Sequence, residues 1–366
     1  MKIAILGTRG IPNYYGGFEQ FAEYFSVYLA ERGHEVYCYN SHNHKFQEKN
    51  FKGVHIIHQH DPEYKYGTFG QFIYDYNCIM DSRKRNFDII LQLGYTSNSI
   101  WFFLMPKAAI NITNMDGLEW KRSKYSWPVQ QFLKVAEWLA AKSSDYLVAD
   151  SLGIQSLLKK HYGKDSTYIA YGAYPFKNPD SSVLKEYNVE EENYTMVMAR
   201  FEPENNLDMV LEGSAASTSK TTLLVVGNHN TKYGAYLKDK FKDYPHIRFM
   251  GGIYNIDHLN NLRYYSKLYF HGHSVGGTNP SLLEAMASKA FIAAHNNDFN
   301  KGVLKENALY FKDKDEVAQM LDNKVKTDYL HFIQANYLAI EKDFNWNKIN
   351  GDYLELFEKA FNERKK

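Results

Sequence analysis

His271-Gly-His-Ser-Val-Gly-Gly-Thr-Asn-Pro-Ser-Leu-Leu-Glu-Ala-Met286 sets a glycine-rich turn between a short apolar strand and a helix beginning near Ser281. Successive N–H groups of Gly276, Gly277, Thr278 and Asn279 converge on one point only where no side chain blocks the approach. The positive end of the following helix dipole aims at the same place, which makes the turn an anion site built from backbone. Glu284 falls about one turn into that helix, where its carboxylate reaches hydroxyls of whatever the phosphate is attached to. A phosphate with a polyol beside it describes a nucleotide or a nucleotide sugar. A plain strand-to-helix turn with a buried, salt-bridging Glu284 fits the same letters, and the stretch alone does not choose between them.

The same rhythm of strand, turn and helix runs almost from end to end, which predicts an α/β chain with parallel sheets and right-handed crossovers. In the first half strands are expected at 2–6, 35–39, 54–57, 89–92, 109–114 and 146–149. Phe18, Phe21, Ala22, Phe25 and Leu29 repeat at helical spacing after the first of them, and Gly33 follows as a stop. Tyr171-Gly-Ala-Tyr-Pro-Phe-Lys-Asn-Pro-Asp-Ser-Ser182 interrupts the pattern with Gly and two Pro and reads as an interdomain linker. Strands resume at 195–198, 222–227, 247–250, 268–271 and 291–294. Two doubly wound domains are therefore expected, 1–175 and 176–345, with a terminal helix over 346–366 packing back toward the first. Ligands in such an architecture bind at the carboxyl ends of the strands, here in a central cleft that the two domains face.

The 366 residues suffice for two cores, and the formal net charge of +1 gives no reason to expect nucleic acid. Cys38 and Cys78 are too few for a disulfide framework or a thiolate metal site, which fits a reducing cytoplasm. The chain opens on an apolar strand, so no signal peptide is expected. No apolar run approaches the ~18 residues of a spanning helix. The 30 Tyr and 23 Phe residues suit sugar stacking or a membrane interface, and equally an ordinary core.

Several loops at strand ends carry candidate chemistry. Gly7-Thr-Arg-Gly-Ile-Pro-Asn-Tyr-Tyr-Gly-Gly-Phe-Glu19 puts Gly16 and Gly17 before a helix, a second backbone anion site, with Glu19 beside it. A dinucleotide fold is disfavoured, because the glycine spacing is not G-x-G-x-x-G and Asn40 stands where a ribose-binding acid belongs. Ala199-Arg-Phe-Glu-Pro-Glu-Asn-Asn206 places the Arg200 guanidinium where it can neutralise a diphosphate, unless it pairs with Glu202 or Glu204. Asn205 and Asn206 are either ligands or helix caps. Gly227 allows another tight turn. His271 and His273 raise a metal, but no acid or Cys lies close by in sequence, and hydrogen bonding to a phosphate or sugar is favoured. His42, His44, His55, His58 and His60 read as an exposed excursion without ligand spacing.

In the first half, Asp116 and Glu119 follow a strand, where a carboxylate could orient an acceptor hydroxyl or act as a base; an Asx-Gly turn closed by Asp116 is the alternative. Trp120, Lys121, Arg122, Lys124, Tyr125 and Trp127 precede an amphipathic helix bearing Val129, Phe132, Leu133, Ala136 and Leu139. Basic and aromatic residues there suit an anionic bilayer, although the stripe equally suits domain core.

Together the two glycine loops, the Arg200 segment and the Glu284 helix resemble the retaining family-4 glycosyltransferases of the GT-B fold, over nearly the whole chain. Three positions depart from that pattern. Asn205 stands for the Lys of G-R-x-x-x-x-K-G, Gly276 stands for the first acid of E-x7-E so that only Glu284 remains, and Asp116-Gly117 replaces the usual H-G. The combination is similar to a narrower group, the bacterial capsule and rhamnan rhamnosyltransferases. That resemblance implies dTDP-L-rhamnose as donor and a lipid-diphosphate-linked saccharide as acceptor. It also implies a metal-independent, cofactor-free retaining transfer at the cytoplasmic face of the plasma membrane, in cell-surface polysaccharide synthesis.

The resemblance further assigns Asp116, Arg200 and Glu284 to catalysis. Gly16, Gly17, Glu202, Asn205, Gly227, His273, Gly276, Gly277, Thr278, Asn279 and Glu284 fall to the donor, and Glu19 and Glu119 to the acceptor side. Another UDP- or GDP-sugar donor, or a non-catalytic nucleotide-sugar-binding partner subunit, stays open.

Overall fold

The computed structural model describes every residue except Tyr15, Ser123 and Lys366, so Tyr15 of the first glycine loop lies outside the described residues. The chain divides into two compact units. The first holds Met1–Lys121, Tyr125–Tyr171 and the terminal helix Trp346–Arg364, and the second holds Gly172–Asn345 together with Arg122 and Lys124.

In the first unit the strands are β1 (Lys2–Leu6), β2 (Glu35–Ser41), β3 (Asn50–Phe51), β4 (Val54–Gln59), β5 (Ile89–Leu93), β6 (Ile110–Asn114), β7 (Tyr146–Ala149) and β8 (Thr167–Tyr168). They form one sheet in the order β3-β4-β2-β1-β5-β6-β7-β8, parallel except for the β3–β4 pair. The strands are runs of β-branched and aliphatic residues, and β1 is buried on both faces, from Ile3 and Ala4 at 0 % exposed to Leu6 at 2 %. A parallel strand so buried requires cover on either side. Ala4 and Leu6 pack with Tyr74, Cys78 and Ile79 of the helix Phe69–Ser82. The helix Gly17–Ala30 packs Phe21 at a tilt against Tyr353 (4.7 Å) and sets Phe25 edge-on to Phe357 (5.4 Å) of the terminal helix. Full burial of each such ring contributes about 1.5–3 kcal/mol, which explains why the last helix belongs to this unit.

The second unit carries β9 (Tyr194–Met198), β10 (Thr222–Val226), β11 (Ile247–Gly251), β12 (Leu268–His271), β13 (Ile292–His295) and β14 (Leu309–Phe311), all parallel, in the order β11-β10-β9-β12-β13-β14. One face of this sheet is sealed by Val210 and Leu211 of the helix Leu207–Ala216 and Val317 of the helix Lys314–Asn323. The approach there is so close that a Cβ on Gly213 would lie 2.4 Å from Val317 Cγ1.

In each sheet the winding direction reverses once, between β1 and β5 and between β9 and β12. The loops after those four strands are where open parallel sheets bind ligands. The expected strands are present; β3, β8 and β14 were not anticipated. The histidines read as an exposed excursion are corrected in part: His55 and His60 are exposed as expected, whereas His42, His44 and His58 are half-buried. His55 and His58 lie on β4, and three rings fasten the surrounding loops: His42 Nδ1 accepts from the Asp61 N–H (2.9 Å), His44 Nε2 meets the Pro12 carbonyl (3.1 Å) and His58 Nε2 the Phe46 carbonyl (2.9 Å).

Candidate functional site

At the reversal point of the second unit, the loops after β9 and β12 are held against one another by backbone that tolerates no side chain. A Cβ on Gly272 would lie 2.2 Å from the Asn205 carbonyl oxygen, and one on Gly227 2.1 Å from that of Ala199. Asn206 adopts a left-handed φ of 51° and sends its amide to the Gly272 carbonyl (2.7 Å). It occupies the N-cap position of the helix Leu207–Ala216, but its side chain makes no capping hydrogen bond there. Asn205 is buried and donates to the Arg200 carbonyl (2.8 Å). Where the resemblance has a lysine, this chain therefore has a neutral group committed to loop geometry.

Arg200 itself is exposed and, among the described residues, forms no ion pair. Pairing with Glu202 or Glu204 is not seen; Glu204 lies 4.0 Å from Arg122 instead. Arg200 is near enough to His273 for its charge to matter. Burial first, then the Arg200 and Arg122 guanidiniums, push the His273 imidazole down to about 3. His271 is pushed well below its ordinary range by burial and by His273, with which it stacks at 4.4 Å. Both rings are neutral at physiological pH. The His273 carbonyl accepts from the amides of Asn297 and Asn300, each at 3.0 Å, which pins the start of the glycine turn. Among the described residues no group of three or more His, Cys, Asp or Glu is placed to hold a metal ion.

The turn continues through Gly276, whose φ of 135° belongs to glycine, to Asn279. The Asn279 side chain caps the helix Pro280–Ala287, accepting from the Ser281 N–H (3.0 Å) and hydroxyl (2.8 Å). No acid occupies the first turn of this helix, so its N-terminal dipole charge is uncompensated from within. Farther along, Glu284 Oε2 accepts from Arg263 Nη2 at 2.6 Å. Arg263 is 0 % exposed, while the Glu284 side chain keeps 21 %. The salt-bridging alternative is thus present, through the Oε2 oxygen of Glu284.

Arg263 escaped sequence reading although a signal existed. In the helix Ile256–Tyr265 it follows Leu259 and Leu262 at the i+4 position of the apolar face, where an arginine requires a buried partner.

The first unit repeats the architecture with a different electrostatic outcome. Asn40 is fully buried and clamps the glycine loop, accepting from the Ile11 N–H (3.1 Å) and donating to the Ile11 carbonyl (2.8 Å). Gly16 caps the helix Gly17–Ala30 in extended conformation. Glu19, in the first turn, is buried and accepts from the Arg9 N–H (3.0 Å). A carboxylate already sits at this helix start, so Gly16 and Gly17 offer an added anion less than the turn after β12 does.

Asp116 has a left-handed φ of 47°, and the Asx turn at this place is closed by Asn114, whose Oδ1 accepts from the Asp116 N–H (2.9 Å). Glu119 is buried, its N–H on the Tyr95 hydroxyl (3.3 Å). Tyr95, Trp120 and Tyr162 all donate to the buried Glu137, which fixes the loop carrying Asp116 and Glu119.

Residues 182–328 match the family described as Glycosyl transferases group 1, and residues 1–174 match a domain of unknown function (DUF1972). An uncharacterized glycosyltransferase of Methanocaldococcus jannaschii is 22 % identical over 406 residues, spanning 96 % of this chain and 98 % of its own. Among solved structures, Anabaena HepE in complex with UDP superposes with a TM-score of 0.74 at 15 % identity, covering 98 % of this chain and 100 % of its own. Sucrose-phosphate synthase from Thermosynechococcus elongatus gives 0.80 at 14 %, covering 99 % of each. WaaG, a glycosyltransferase involved in lipopolysaccharide biosynthesis, gives 0.72 at 13 %, covering 99 % and 98 %. The fold is GT-B, with two Rossmann-like units.

Proposed function

We propose that this chain, whose residues 182–328 are a glycosyl transferases group 1 domain, transfers a sugar from a nucleotide donor held by its second unit. The observation that carries the reading is the exposed Arg200 guanidinium at the end of β9, free of any ion pair among the described residues, at the reversal point of a sheet whose next loop is a glycine turn into an acid-free helix start. In this reading, Arg200 and the amides of Gly276, Gly277, Thr278 and Asn279 hold the donor diphosphate and stabilise the charge that develops as it departs. Glu284, fixed by Arg263 through one oxygen, offers the other to a hydroxyl of the donor. The neutral His273 contributes a hydrogen bond and no charge. Glu202 and Gly227 border the same strand ends.

The transfer retains anomeric configuration, with the donor phosphate taking the acceptor proton and Asp116 orienting the acceptor hydroxyl. Glu19 and Glu119 shape the acceptor-side loops from beneath. The donor is dTDP-L-rhamnose and the acceptor a lipid-diphosphate-linked saccharide reached from the cytoplasmic side of the membrane. Gly276 in place of an acid supports a donor with an altered hydroxyl set, as a 6-deoxy sugar has. A second reading, a UDP-sugar donor, is favoured by the UDP bound to Anabaena HepE.

Nucleotide binding and diphosphate release with dTDP-rhamnose, UDP-glucose and GDP-mannose test these readings together. Arg200→Ala should weaken dTDP or UDP binding by about 1.5–3 kcal/mol. Unchanged binding in that variant removes the basis of the proposal, and faster release from UDP-glucose than from dTDP-rhamnose selects the second reading.

A further inference from the structure

The glycine turn after β12 rests on side-chain amides from a different loop. β12 and β13 pair in parallel as far as His271 and Ala294. Beyond that point Asn297 and Asn300 join the two segments. Asn297 Nδ2 donates to the carbonyls of His273 (3.0 Å) and His295 (3.1 Å) and lies 3.1 Å from His295 Nδ1. Asn300, 3 % exposed, donates from its Nδ2 to the same two carbonyls, at 3.0 and 2.8 Å. An amide carries two N–H and a carbonyl oxygen two lone pairs, so the pair of amides can fill both acceptor positions on each carbonyl. The Asn297 side-chain oxygen accepts from the Asn300 N–H (3.0 Å), which caps the helix Asp298–Leu304 and sets the two amides side by side.

The other flank is fastened as well. The Gly272 carbonyl accepts from the Asn206 amide (2.7 Å), and the Ser274 N–H (3.1 Å) and hydroxyl (2.8 Å) both donate to the Glu204 carbonyl. Residues 272–274 are therefore held at once from the loop after β9 and from the loop after β13. The next three differ. The N–H groups of Val275, Gly276 and Gly277 make no hydrogen bond among the described residues, although all three residues are half-buried. A Cβ on Gly276 would have nothing within 4 Å. Successive backbone donors left without a protein acceptor beside open space suit an anion, and the fastened segment before them fixes their place.

We infer that Asn297 and Asn300 are positioning residues for a nucleoside diphosphate: by bracketing the His273 and His295 carbonyls they hold the N–H groups of residues 275–277 where the phosphates bind. Their role is also electrostatic. Without the amides two carbonyl oxygens would stand uncovered beside an anion, which disfavours both the turn and its ligand. The inference rests on the donor reading above, and it adds to that reading the Val275 N–H and two residues of another loop.

The test measures dTMP, dTDP and UDP binding by calorimetry, below the onset of melting, for the full chain and for Asn297→Ser, Asn300→Ala and the double variant. Serine keeps a helix cap while removing the amide donors. Each single variant leaves one amide on both carbonyls, so dTDP and UDP should bind about threefold more weakly; the double variant uncovers both and should lose more than about tenfold. dTMP should lose less than dTDP, because the turn holds the second phosphate as well. Ile333→Val, a core change in the same unit, is the control, lowering the melting temperature and leaving all three affinities unchanged. Should the double variant fail to fold, the two single variants decide. Unchanged dTDP and UDP affinity in the variants, or equal losses for dTMP and dTDP, overturns the inference and leaves nucleotide binding standing. A parent chain that binds neither dTDP nor UDP overturns the donor reading and this inference with it.

Discussion

Asn114, at the end of β6, donates its side-chain amide to the phenol oxygen of Tyr353 in the terminal helix, 2.8 Å away and 239 positions later in the chain. The other end of the same amide accepts from the Asp116 N–H. The last helix thereby sets the orientation of an amide that holds Asp116 in its left-handed conformation. Tyr353→Phe removes one buried hydrogen bond and leaves the ring packing intact, so a loss of about 1 kcal/mol is expected. If Asp116 orients the acceptor, kcat should drop in this variant while KM for the donor stays. Steady-state kinetics with varied donor, alongside a urea unfolding curve, checks both halves.

Glu284 and Arg263 make a second coupled pair. Removing the carboxylate leaves a fully buried guanidinium uncompensated, so Glu284→Ala should destabilise by about 3–5 kcal/mol. Replacing both residues with Met should restore much of that loss, because the desolvated charge goes with its partner. The comparison is made by urea unfolding of the three variants. A double variant as unstable as Glu284→Ala would contradict the pairing.

Two glycines should respond in opposite directions. Gly227→Ala forces a Cβ onto the Ala199 carbonyl, at a φ of 150°, and should cost more than about 3 kcal/mol or prevent folding of the second unit. Gly302 lies exposed within the helix Asp298–Leu304 with nothing within 4 Å of an added Cβ. Gly302→Ala should stabilise by about 0.5–1 kcal/mol. Thermal melting distinguishes the two.

Asp75, in the helix Phe69–Ser82, provides a pH prediction. Burial raises its carboxyl from 3.8 to about 7, against the opposing hydrogen bond from the Ser97 hydroxyl (2.5 Å), with Asp61 adding to the rise. Between about pH 4 and 7 the folded chain then keeps a proton that the unfolded chain has released. Stability should fall as pH rises through that window, with a slope of at most about 1.4 kcal/mol per pH unit from this group. Asp75→Asn removes the titration and can still accept from Ser97. Its stability relative to the parent should therefore be greatest above pH 7 and shrink toward pH 4. A parallel pair of pH–stability curves would refute the assignment.

Much of the fold was legible because burial on both faces writes strands as short unbroken apolar runs, as at Lys2–Leu6 and Leu268–His271, and glycines mark the turns beyond them. β3, β8 and β14 were not, since two or three residues cannot display a period. His42, His44 and His58 misled for a related reason. Polar rings that accept and meet loop backbone look like solvent-facing residues until their partners are placed. In the site, Arg200 and the turn at Gly276–Asn279 could be read locally. Arg263, Asn114 and Tyr353 could not, because each acts through a residue distant in sequence.

The amino-acid order by itself determined two doubly wound parallel sheets and the glycine turns at their strand ends, consequences of interactions within a few residues. Only the tertiary structure decided that Glu284 is tethered by a buried arginine, that Asn205 serves loop geometry, that Glu19 fills its own helix start, and that Trp127 and Trp138 stay in the open. Those outcomes depend on which groups are desolvated together. Desolvation is a property of packed neighbours, and no local stretch of sequence specifies it.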